Sequence, residues 1–292
     1  MKRYRYNIAG HLCEVDFSHS QYGEELLPSF APFVSNDDSK CLFRIIVNDD
    51  YQWEISCDEV GQFDCGGYNF GVYRGDDGTY QIEISNEYKK RCCLLQANTD
   101  FSECVAVIVG EQEQEKLFGL NNAIMLVYAF ASAPYGTLLV HASVIRKDDR
   151  GYLFLGVSGT GNSTHTRLWL KHIPGTDLMN DDNPVVRVID GKTYVYGSPW
   201  SGKTPCYRNV EAMVGAFVQL KQWPENVIHR PGVLESFSYL LPSISTMKWD
   251  KRVYSSHADT VSDIIRTTPI YHLSCLPDEG AARLCFKTVH KQ

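Results

Sequence analysis

The feature that most constrains this chain is a glycine-rich segment, LGVSGTGNSTHT at residues 155–166, which follows an apolar stretch and precedes a helical pattern. Gly156, Gly159 and Gly161 allow tight turns in which consecutive backbone N–H groups point inward. A helix starting at Ser163 would add the partial positive charge of its N-terminus. The order strand, glycine loop, helix therefore predicts a phosphate-binding loop; the alternative is a glycine turn that only caps the helix.

The loop departs from the nucleotide-binding pattern G-x-x-x-x-G-K-[ST] at one position. Asn162 stands where the pattern has lysine, so a neutral amide replaces the charge that would contact the β- and γ-phosphates. Losing such a contact in a dry site costs about 2–4 kcal/mol, or ~10²–10³-fold in rate. We expect Asn162 to face the phosphates without shaping the loop. The residues expected to contact a nucleotide are Gly156, Ser158, Gly159, Thr160, Gly161, Asn162, Ser163 and Thr164.

Four cationic side chains are candidates to replace the missing lysine. Lys203 and Arg208 flank an aromatic-containing loop and are preferred as contacts to phosphate or to a phosphoacceptor. Arg167 and Lys171 lie four residues apart on the loop helix, which places them on one face of it. A solvated surface position is the alternative for all four.

Paired carboxylates follow the loop helix. Asp181 and Asp182 come directly after the apolar pair Leu178-Met179, at an expected strand end. Two such carboxylates can divide the work of holding a metal ion and accepting a proton from an attacking hydroxyl. His141, on the strand leading towards the loop, is expected beside the metal ion. The alternatives are a solvated turn for the aspartates and a structural role for the histidine.

Short segments rich in β-branched and aromatic residues alternate with turn residues up to about residue 115. They predict a meandering antiparallel sheet with strands at 41–47, 51–56, 68–73, 80–85 and 104–109. This part shows no catalytic cluster, so its expected role is packing, dimerisation or presentation of a partner. The charged run at 111–116 marks the predicted boundary between a β-rich domain, 1–115, and a second domain, 116–292.

Helical and extended patterns alternate after that boundary, which predicts an α/β core in a fold that is α+β overall. A helix over 117–131 is apolar on most sides and is therefore expected to be buried. The other predicted helices span 163–173, 232–241, 256–268 and 278–290. The predicted strands span 137–145, 151–156, 178–179, 184–189, 213–220 and 270–275.

The charge balance excludes a large class of functions. With 28 Lys+Arg and 35 Asp+Glu the net charge is −7, whereas a general nucleic-acid binder needs a basic face. The ten cysteines are scattered without a C-x-x-C pair and are expected to be reduced thiols. We recognise no secretory signal, and the apolar run 123–133 is too short to cross a bilayer. We expect a cytoplasmic protein without membrane or nucleic-acid partners.

Taken together, the motifs resemble a known superfamily. The run LLVHAS…GYLFLGVSGTGNST…LMNDD is similar to the shared core of HPr serine kinases and ATP-dependent phosphoenolpyruvate carboxykinases. Both have a histidine strand, a P-loop and paired aspartates in this order. HASVI and GVSGTG resemble the carboxykinase versions, and Tyr196–Gly202 resembles a G-x-P-W-S-G loop of uncharacterised HPr kinase relatives. The resemblance covers Leu138 to Arg208, about a quarter of the chain.

The resemblance implies a β-rich N-terminal domain followed by a P-loop core of the HPr-kinase/carboxykinase type. It implies ATP with Mg²⁺ (or Mn²⁺) bound through Ser163 and Asp181, and catalysis by Asp182, Asp181 and His141. The implied activity is ATP-dependent phosphorylation of a hydroxyl on a small protein, peptide or metabolite.

Two alternatives stay open. One is a diverged phosphoenolpyruvate carboxykinase, although the arginine segment that binds oxaloacetate in that enzyme is not found here. The other is a catalytically inactive, nucleotide-binding regulatory module whose first half contacts a partner. The long signature that HPr kinases carry after the P-loop is also not found, so HPr itself is not the expected acceptor. A homo-oligomer is compatible with each of these functions.

Overall fold

The computed structural model describes residues 2–52, 58–65, 68–156, 159–202 and 204–290. It divides into two compact units. Met1–Ala133 and Thr246–Tyr254 form the first unit, and Pro134–Ser245 and Ser255–Gln292 form the second. The division after Ala133 differs from the expected boundary after residue 115, because the helix that lies between the two positions packs on the first sheet.

Within the described residues the first unit contains an eight-stranded sheet, ordered β1-β2-β3-β8-β7-β6-β5-β4. β4 to β8 form the predicted antiparallel meander, whereas β2 pairs with β3, and β3 with β8, in parallel, which the sequence did not predict. Most of the strand predicted at 51–56 lies outside the described residues. The strands are β1 (Arg3–Ile8), β2 (His11–His19), β3 (Phe43–Asn48), β4 (Asp58–Cys65), β5 (Tyr68–Arg74), β6 (Tyr80–Ser85), β7 (Arg91–Ala97) and β8 (Glu103–Ile108).

Charged residues interrupt the apolar pattern of β2, which explains why this strand was not predicted. Glu14 and Asp16 are buried in it, and arginines of the neighbouring strands pair with them. Arg3 Nε lies 2.9 Å from Asp16 Oδ2, and Arg44 Nε lies 3.1 Å from Glu14 Oε1. Burial by itself would raise the pKa of Asp16, but hydrogen bonds from Ser18 and Arg44 outweigh it and lower that pKa to about 2.

Helix α1 (Glu113–Ala131) packs on β7, β8, β3 and β6. Gln112 and Glu115 form a capping box at its start, and nearly every residue from Gly119 onward is buried. The predicted buried helix is thus present, although it belongs to the first unit. No helix within the described ranges is both long and apolar enough to span a membrane.

The described part of the second unit contains a nine-stranded sheet, ordered β12-β10-β11-β15-β14-β13-β9 with β17 beside β15 and β16 beside β17. Its strands are β9 (Thr137–Leu139), β10 (Ala142–Lys147), β11 (Arg150–Leu155), β12 (Thr176–Asp182), β13 (Val185–Ile189), β14 (Lys192–Tyr196), β15 (Glu211–Gln222), β16 (Val227–His229) and β17 (Ile270–Cys275). The helices of this half are α2 (Asn162–His172), α3 (Val233–Leu240), α5 (Glu279–Val289) and most of α4 (Lys251–Thr267), whose residues up to Tyr254 belong to the first unit.

The single strand predicted over 137–145 is in fact two strands. β9 pairs with β13, whereas β10 pairs with β11 and β12, so the chain leaves one part of the sheet and enters another. Val140 and His141 form the break, and the His141 N–H donates to the carbonyl of Ser243 at 2.6 Å. His141 therefore lies at the start of β10, beside the end of β12.

Two apolar layers flank this sheet, one on each face. Tyr152 and Phe154 of β11 pack with Trp169 of α2 and Cys285 of α5 on one side. Leu153 and Leu155 of the same strand alternate to the other side, where residues of α3 and α4 cover them. A sheet with helices on both faces is an α/β architecture, as the sequence predicts, preceded by a β-rich region.

We expect Gly119→Ala to destabilise the protein, even though alanine is intrinsically the better helix former by about 1 kcal/mol. A Cβ at position 119 would lie 2.7 Å from the backbone carbonyl of Cys92 on β7, which cannot move without disturbing the sheet. The expected net loss is about 1–3 kcal/mol, measured by urea unfolding. Gly232→Ala is the control, because a Cβ there meets nothing within 4 Å. Equal effects of the two changes would contradict the close packing of α1 on β7.

Candidate functional site

The glycine loop lies between β11 and α2, and its described residues include two glycines in an unusual backbone conformation. Gly159 and Gly161 have φ values of 88° and 112°, in the left-handed region that glycine adopts without strain. α2 begins at Asn162, so the free N–H groups of its first turn face the loop. Val157 and Ser158 lie outside the described residues, and the predicted contact of Ser158 with a nucleotide stays a prediction.

The side chain of Asn162 turns across the base of the loop. Its Nδ2 donates to the carbonyl of Gly156 at 3.3 Å, and a Cβ on Gly156 would lie 2.7 Å from its Oδ1. That Oδ1 is buried and has no hydrogen-bond partner among the described residues. Asn162 therefore takes part in the loop geometry, and the expectation that the loop is independent of it is wrong.

Hydrogen bonds fix the first turns of α2 against the sheet. Thr166 Oγ1 lies 2.6 Å from Ser143 Oγ on β10 and 2.9 Å from the carbonyl of Asn162. Ser163 and Thr164 are half-buried in the first turn. Because residues three apart share a helix face, Ser163 lies one turn nearer the loop on the side of Thr166.

His165 anchors the same helix as a neutral side chain. Its ring packs edge-on against Phe154, with ring centroids 4.7 Å apart, and its Nε2 accepts a hydrogen bond from Trp169 Nε1 at 3.1 Å. Burial lowers the pKa of His165 to about 4, so the imidazole is uncharged at neutral pH. These contacts pack α2 tightly against β11 next to the loop.

Asp181 and Asp182 lie at the end of β12, but they project to opposite faces of the strand. Asp181 is opposite Ser143 in the register, on the face covered by α2, whereas Asp182 is opposite Ala142 of the other core layer. Asp181 is 5% exposed. The two carboxylates would therefore meet only around the end of the strand, and they do not form the side-by-side pair that their adjacency suggests.

His141 and Asp182 form a direct pair. His141 Nδ1 lies 3.0 Å from Asp182 Oδ1, and Asn183 Nδ2 donates to Asp182 Oδ2 at 2.8 Å. The hydrogen bond to Asp182 raises the pKa of His141 against the effect of burial, and the charges of Asp182 and Asp181 add to the increase. Both partners of this pair keep a substantial exposed fraction, 45% and 32% of the side chain, so a substrate can reach them.

The segment Tyr196–Gly202 supports the end of β12. Ser198 Oγ donates to the carbonyl of Asn183 at 2.6 Å, and Asn180 Nδ2 donates to the carbonyl of Trp200 at 2.9 Å. The Gly202 N–H donates to the carbonyl of Asp181 at 2.8 Å. A Cβ on Gly202 would lie 2.8 Å from that same oxygen, so the close approach requires glycine. This segment therefore holds the two aspartates in position.

Two of the cationic candidates from the sequence already have partners in the structure. Arg208 forms an ion pair with Asp177 at 2.8 Å, and its guanidinium also donates to the carbonyl of Leu178, three residues before Asp181 on β12. Arg167 is exposed and lies 3.4 Å from Thr164 Oγ1. Lys203 lies outside the described residues. Because Arg208 is already paired with Asp177, its predicted contact with a phosphate is less favoured.

A cavity of about 490 Å³ borders the glycine loop on the side of β15 and β17. Gln222 Nε2 lies 3.3 Å from the carbonyls of both Gly159 and Thr160 and so ties the loop to β15. Lys221 also lines the cavity and is exposed, with its ammonium 5.0 Å from the ring centre of Trp223. The cavity is lined by Gly159, Thr160, Gln219, Leu220, Lys221, Gln222, Tyr239 and His272.

Sequence reasoning missed Lys221, because its place depends on a strand pairing that no local motif encodes. β11 and β15 are parallel, and Leu155 is opposite Gln219, so Lys221 stands just beyond the point where the glycine loop leaves the sheet. Ligands of open α/β sheets bind outside the carboxyl ends of parallel strands. A lysine in the last residues of such a strand is the signal that could have identified it.

Tyr239 and His272 form the far wall of this cavity. The Tyr239 hydroxyl lies 2.8 Å from His272 Nδ1 and donates a short hydrogen bond to Glu235. Burial and the charge of nearby His229 lower the pKa of His272. Burial and the bond to Glu235 raise the pKa of Tyr239. The motifs of the sequence pointed to none of these residues.

Comparisons with known proteins assign no function to this chain. No protein-family model and no curated protein matches the chain. Among solved structures, the HPr(Ser) kinase/phosphatase from Coxiella burnetii matches with 11% sequence identity and a TM-score of 0.32. The match covers 51% of this chain and 87% of that chain. A similarity at this level assigns no role to any residue, so the site has to be argued from its own geometry.

We predict that Asp182→Asn lowers the pKa of His141, measured by NMR titration of the histidine ring. Because the folded-state pKa is raised above about 6.5, the pair stabilises the fold fully below pH ~6.5 and loses this effect as the pH rises through the folded-state pKa. The stability difference between wild type and variant should therefore shrink towards alkaline pH.

His165 provides the internal control for this titration. It is buried away from solvent against Phe154, and its pKa of about 4 should be the same in both proteins. An unchanged His141 titration in the variant would show that the pair with Asp182 does not form in solution.

Proposed function

We propose that this chain is a nucleotide-dependent phosphotransferase that acts on a hydroxyl group. The observation that carries the proposal is the His141–Asp182 pair at the junction of β10 and β12. β10 lies directly beside β11, the strand that leads into the glycine loop. A proton acceptor and a phosphate cradle thus belong to the same end of neighbouring strands, as in-line transfer requires.

The nucleotide phosphates would lie against the loop and the start of α2. The left-handed Gly159 and Gly161 turn the backbone so that N–H groups can face an anion, and the N-terminus of α2 adds a partial positive charge. Several phosphate oxygens could accept from these groups without a lysine. The loop would therefore still bind phosphate through its backbone N–H groups, although it lacks the positive charge of a lysine.

Ser163 and Asp181 are the residues that would hold Mg²⁺ or Mn²⁺. Both offer oxygen ligands, which these ions prefer. Asp181 is on the α2 face of β12, and Ser163 is one turn before Thr166, which bonds to the neighbour of Asp181 on β10. When bound, the ion would neutralise charge on the phosphates. Ser163 and Asp181 therefore fit the cation by both chemistry and position.

Asp182 is the proposed proton acceptor. As the acceptor hydroxyl oxygen bonds to the γ-phosphorus, the bond to the leaving nucleoside diphosphate breaks and the hydroxyl proton passes to the Asp182 carboxylate. His141, on Oδ1 of that carboxylate, orients it and stabilises its charge. The exposure of this pair leaves room for a hydroxyl on a small protein, a peptide or a metabolite.

Lys221 is the proposed substitute for the missing P-loop lysine. It lines the cavity that Gly159 and Thr160 border, and only a contact with the ring of Trp223 restrains its ammonium among the described residues. A flexible lysine next to the loop can reach an anion that enters the cavity. Lys203 stays a second candidate.

A regulatory module that binds nucleotide without turnover is the second candidate function. The observation that favours it is the orientation of Asn162, whose amide is bonded to Gly156 within the loop instead of pointing outward. A loop closed on itself in this way can bind an anion through its backbone and still lack the charge that accelerates transfer.

We expect ATP with Mg²⁺ to raise the melting temperature, because a ligand at 100 times its dissociation constant adds roughly 2.7 kcal/mol of stability. Lys221→Met should weaken ATP binding by ~10–100-fold, the effect of one lost charge-assisted contact. Lys192→Met, at an exposed position at the start of β14, is the matched control and should leave the shift unchanged. No shift in the wild type, with no heat by calorimetry, would rule out nucleotide binding.

Phosphoryl transfer should depend on the two aspartates in different ways. Asp182→Asn is expected to slow release or transfer of labelled γ-phosphate by ~10²–10⁴-fold while the thermal shift with ATP persists. Asp181→Asn should instead raise the Mg²⁺ concentration that phosphoryl transfer requires. Asp190→Asn, at an exposed turn with φ of 51° that asparagine tolerates, is the control. Nucleotide binding without transfer in the wild type would favour the regulatory module.

A further inference from the structure

Two histidines and a glutamate come together beside the cavity, which His272 lines. His229 on β16 is directly opposite His272 on β17, and their ring centres lie 5.1 Å apart. Glu235, in the first turn of α3, lies 3.8 Å from His272 through Oε1 and Nδ1. One potential ligand atom from each of these three residues lies within 4.8 Å of the other two.

We propose that His229, Glu235 and His272 bind a transition-metal ion, with Zn²⁺ as the best match. Two imidazoles and one carboxylate are a donor set that Zn²⁺ favours, whereas Mg²⁺ prefers oxygen ligands alone. The site uses none of the residues assigned to the nucleotide-bound magnesium ion. It is an additional site and does not depend on the proposed transferase activity.

The separations are close to those that a bound ion requires. Ligand atoms about 2.0–2.2 Å from a tetrahedral ion are roughly 3.3–3.6 Å apart. The ligand atoms here need to approach each other by about 1 Å, which side-chain rotation supplies. His229 and Glu235 are exposed and so are free to rotate, while His272 is held in the sheet.

His272 itself supports the assignment. Its Nδ1 lies 3.8 Å from Glu235 Oε1 and 2.8 Å from the Tyr239 hydroxyl, so this ring nitrogen already takes part in the polar cluster. Tyr239 also donates a hydrogen bond to Glu235, so it contacts two of the three proposed ligands. Such an outer contact is the kind that orients metal-binding side chains.

Three protein ligands would leave one position of a tetrahedral ion open, next to a cavity that one of the ligands, His272, lines. His272 and Tyr239 line the cavity together with Gly159 and Thr160 of the glycine loop. The open position would bind water or an anionic group that enters the same space. The ion is therefore placed to contribute to anion binding beside the loop.

The test is a titration of the metal-free, full-length protein with Co²⁺, a spectroscopic substitute for Zn²⁺, followed by displacement with Zn²⁺ in a calorimeter. We expect one equivalent with the visible spectrum of tetrahedral cobalt. His229→Ala and Glu235→Gln should each weaken binding at least tenfold, and since both residues are exposed these variants should fold, as checked by their melting temperatures.

His172→Ala is the matched control. His172 Nδ1 lies 3.4 Å from Glu279 Oε2, so it also forms a histidine–glutamate contact. Among the described residues, no second histidine lies close enough to complete a three-ligand group with them. Binding that is unchanged in His229→Ala and Glu235→Gln, or lost equally in His172→Ala, would overturn the proposal. Thermal shifts with ATP and Mg²⁺ are measured in the same variants. Metal binding and nucleotide binding are then tested independently, because the absence of one does not change the measurement of the other.

Discussion

Parallel pairing of β11, β15 and β17 is the constraint on which the chemistry of the second unit depends. Parallel strands end at the same edge of a sheet, so the glycine loop after β11, Lys221 on β15 and His272 on β17 all border one cavity. Apolar residues on both faces of these strands make the sheet rigid, and a rigid sheet gives each side chain a fixed place. Antiparallel pairing of β15 with β11 would have sent Lys221 to the other end of the sheet.

The hydrogen bond from Asn162 to Gly156 changes what the missing lysine means. A lysine at this position would point its ammonium group outward, whereas the side-chain amide of Asn162 donates a hydrogen bond to the loop backbone. The loop thus gains internal order and loses a contact to its ligand. Backbone N–H groups and the helix dipole still favour an anion, so under the proposed function the substitution would affect the acceleration of transfer more than the capacity to bind.

Much of the second unit is predictable because its elements carry strong local signals. The pattern of apolar residues and the stops at Gly and Pro locate β17, α2 and α5 almost to the residue. β2 could not be predicted, because the charges of Glu14 and Asp16 suggest an exposed segment. They are buried because each pairs with Arg44, which is remote in the sequence but lies on the neighbouring strand β3. The break at His141 and the position of Lys221 were hidden for a related reason, since both follow from which strands pair.

The two proposed metal sites differ in chemistry, and this difference would keep two kinds of metal ion apart. Ser163 and Asp181, on the side of α2, supply only oxygen, which suits a hard ion that retains water and accompanies phosphates. His229 and His272 supply imidazole nitrogen, which a softer ion binds far more strongly. Magnesium is abundant but competes poorly for imidazole, and zinc is scarce but binds it well. Selectivity would therefore come from the donor sets themselves, and each ion could be exchanged without displacing the other.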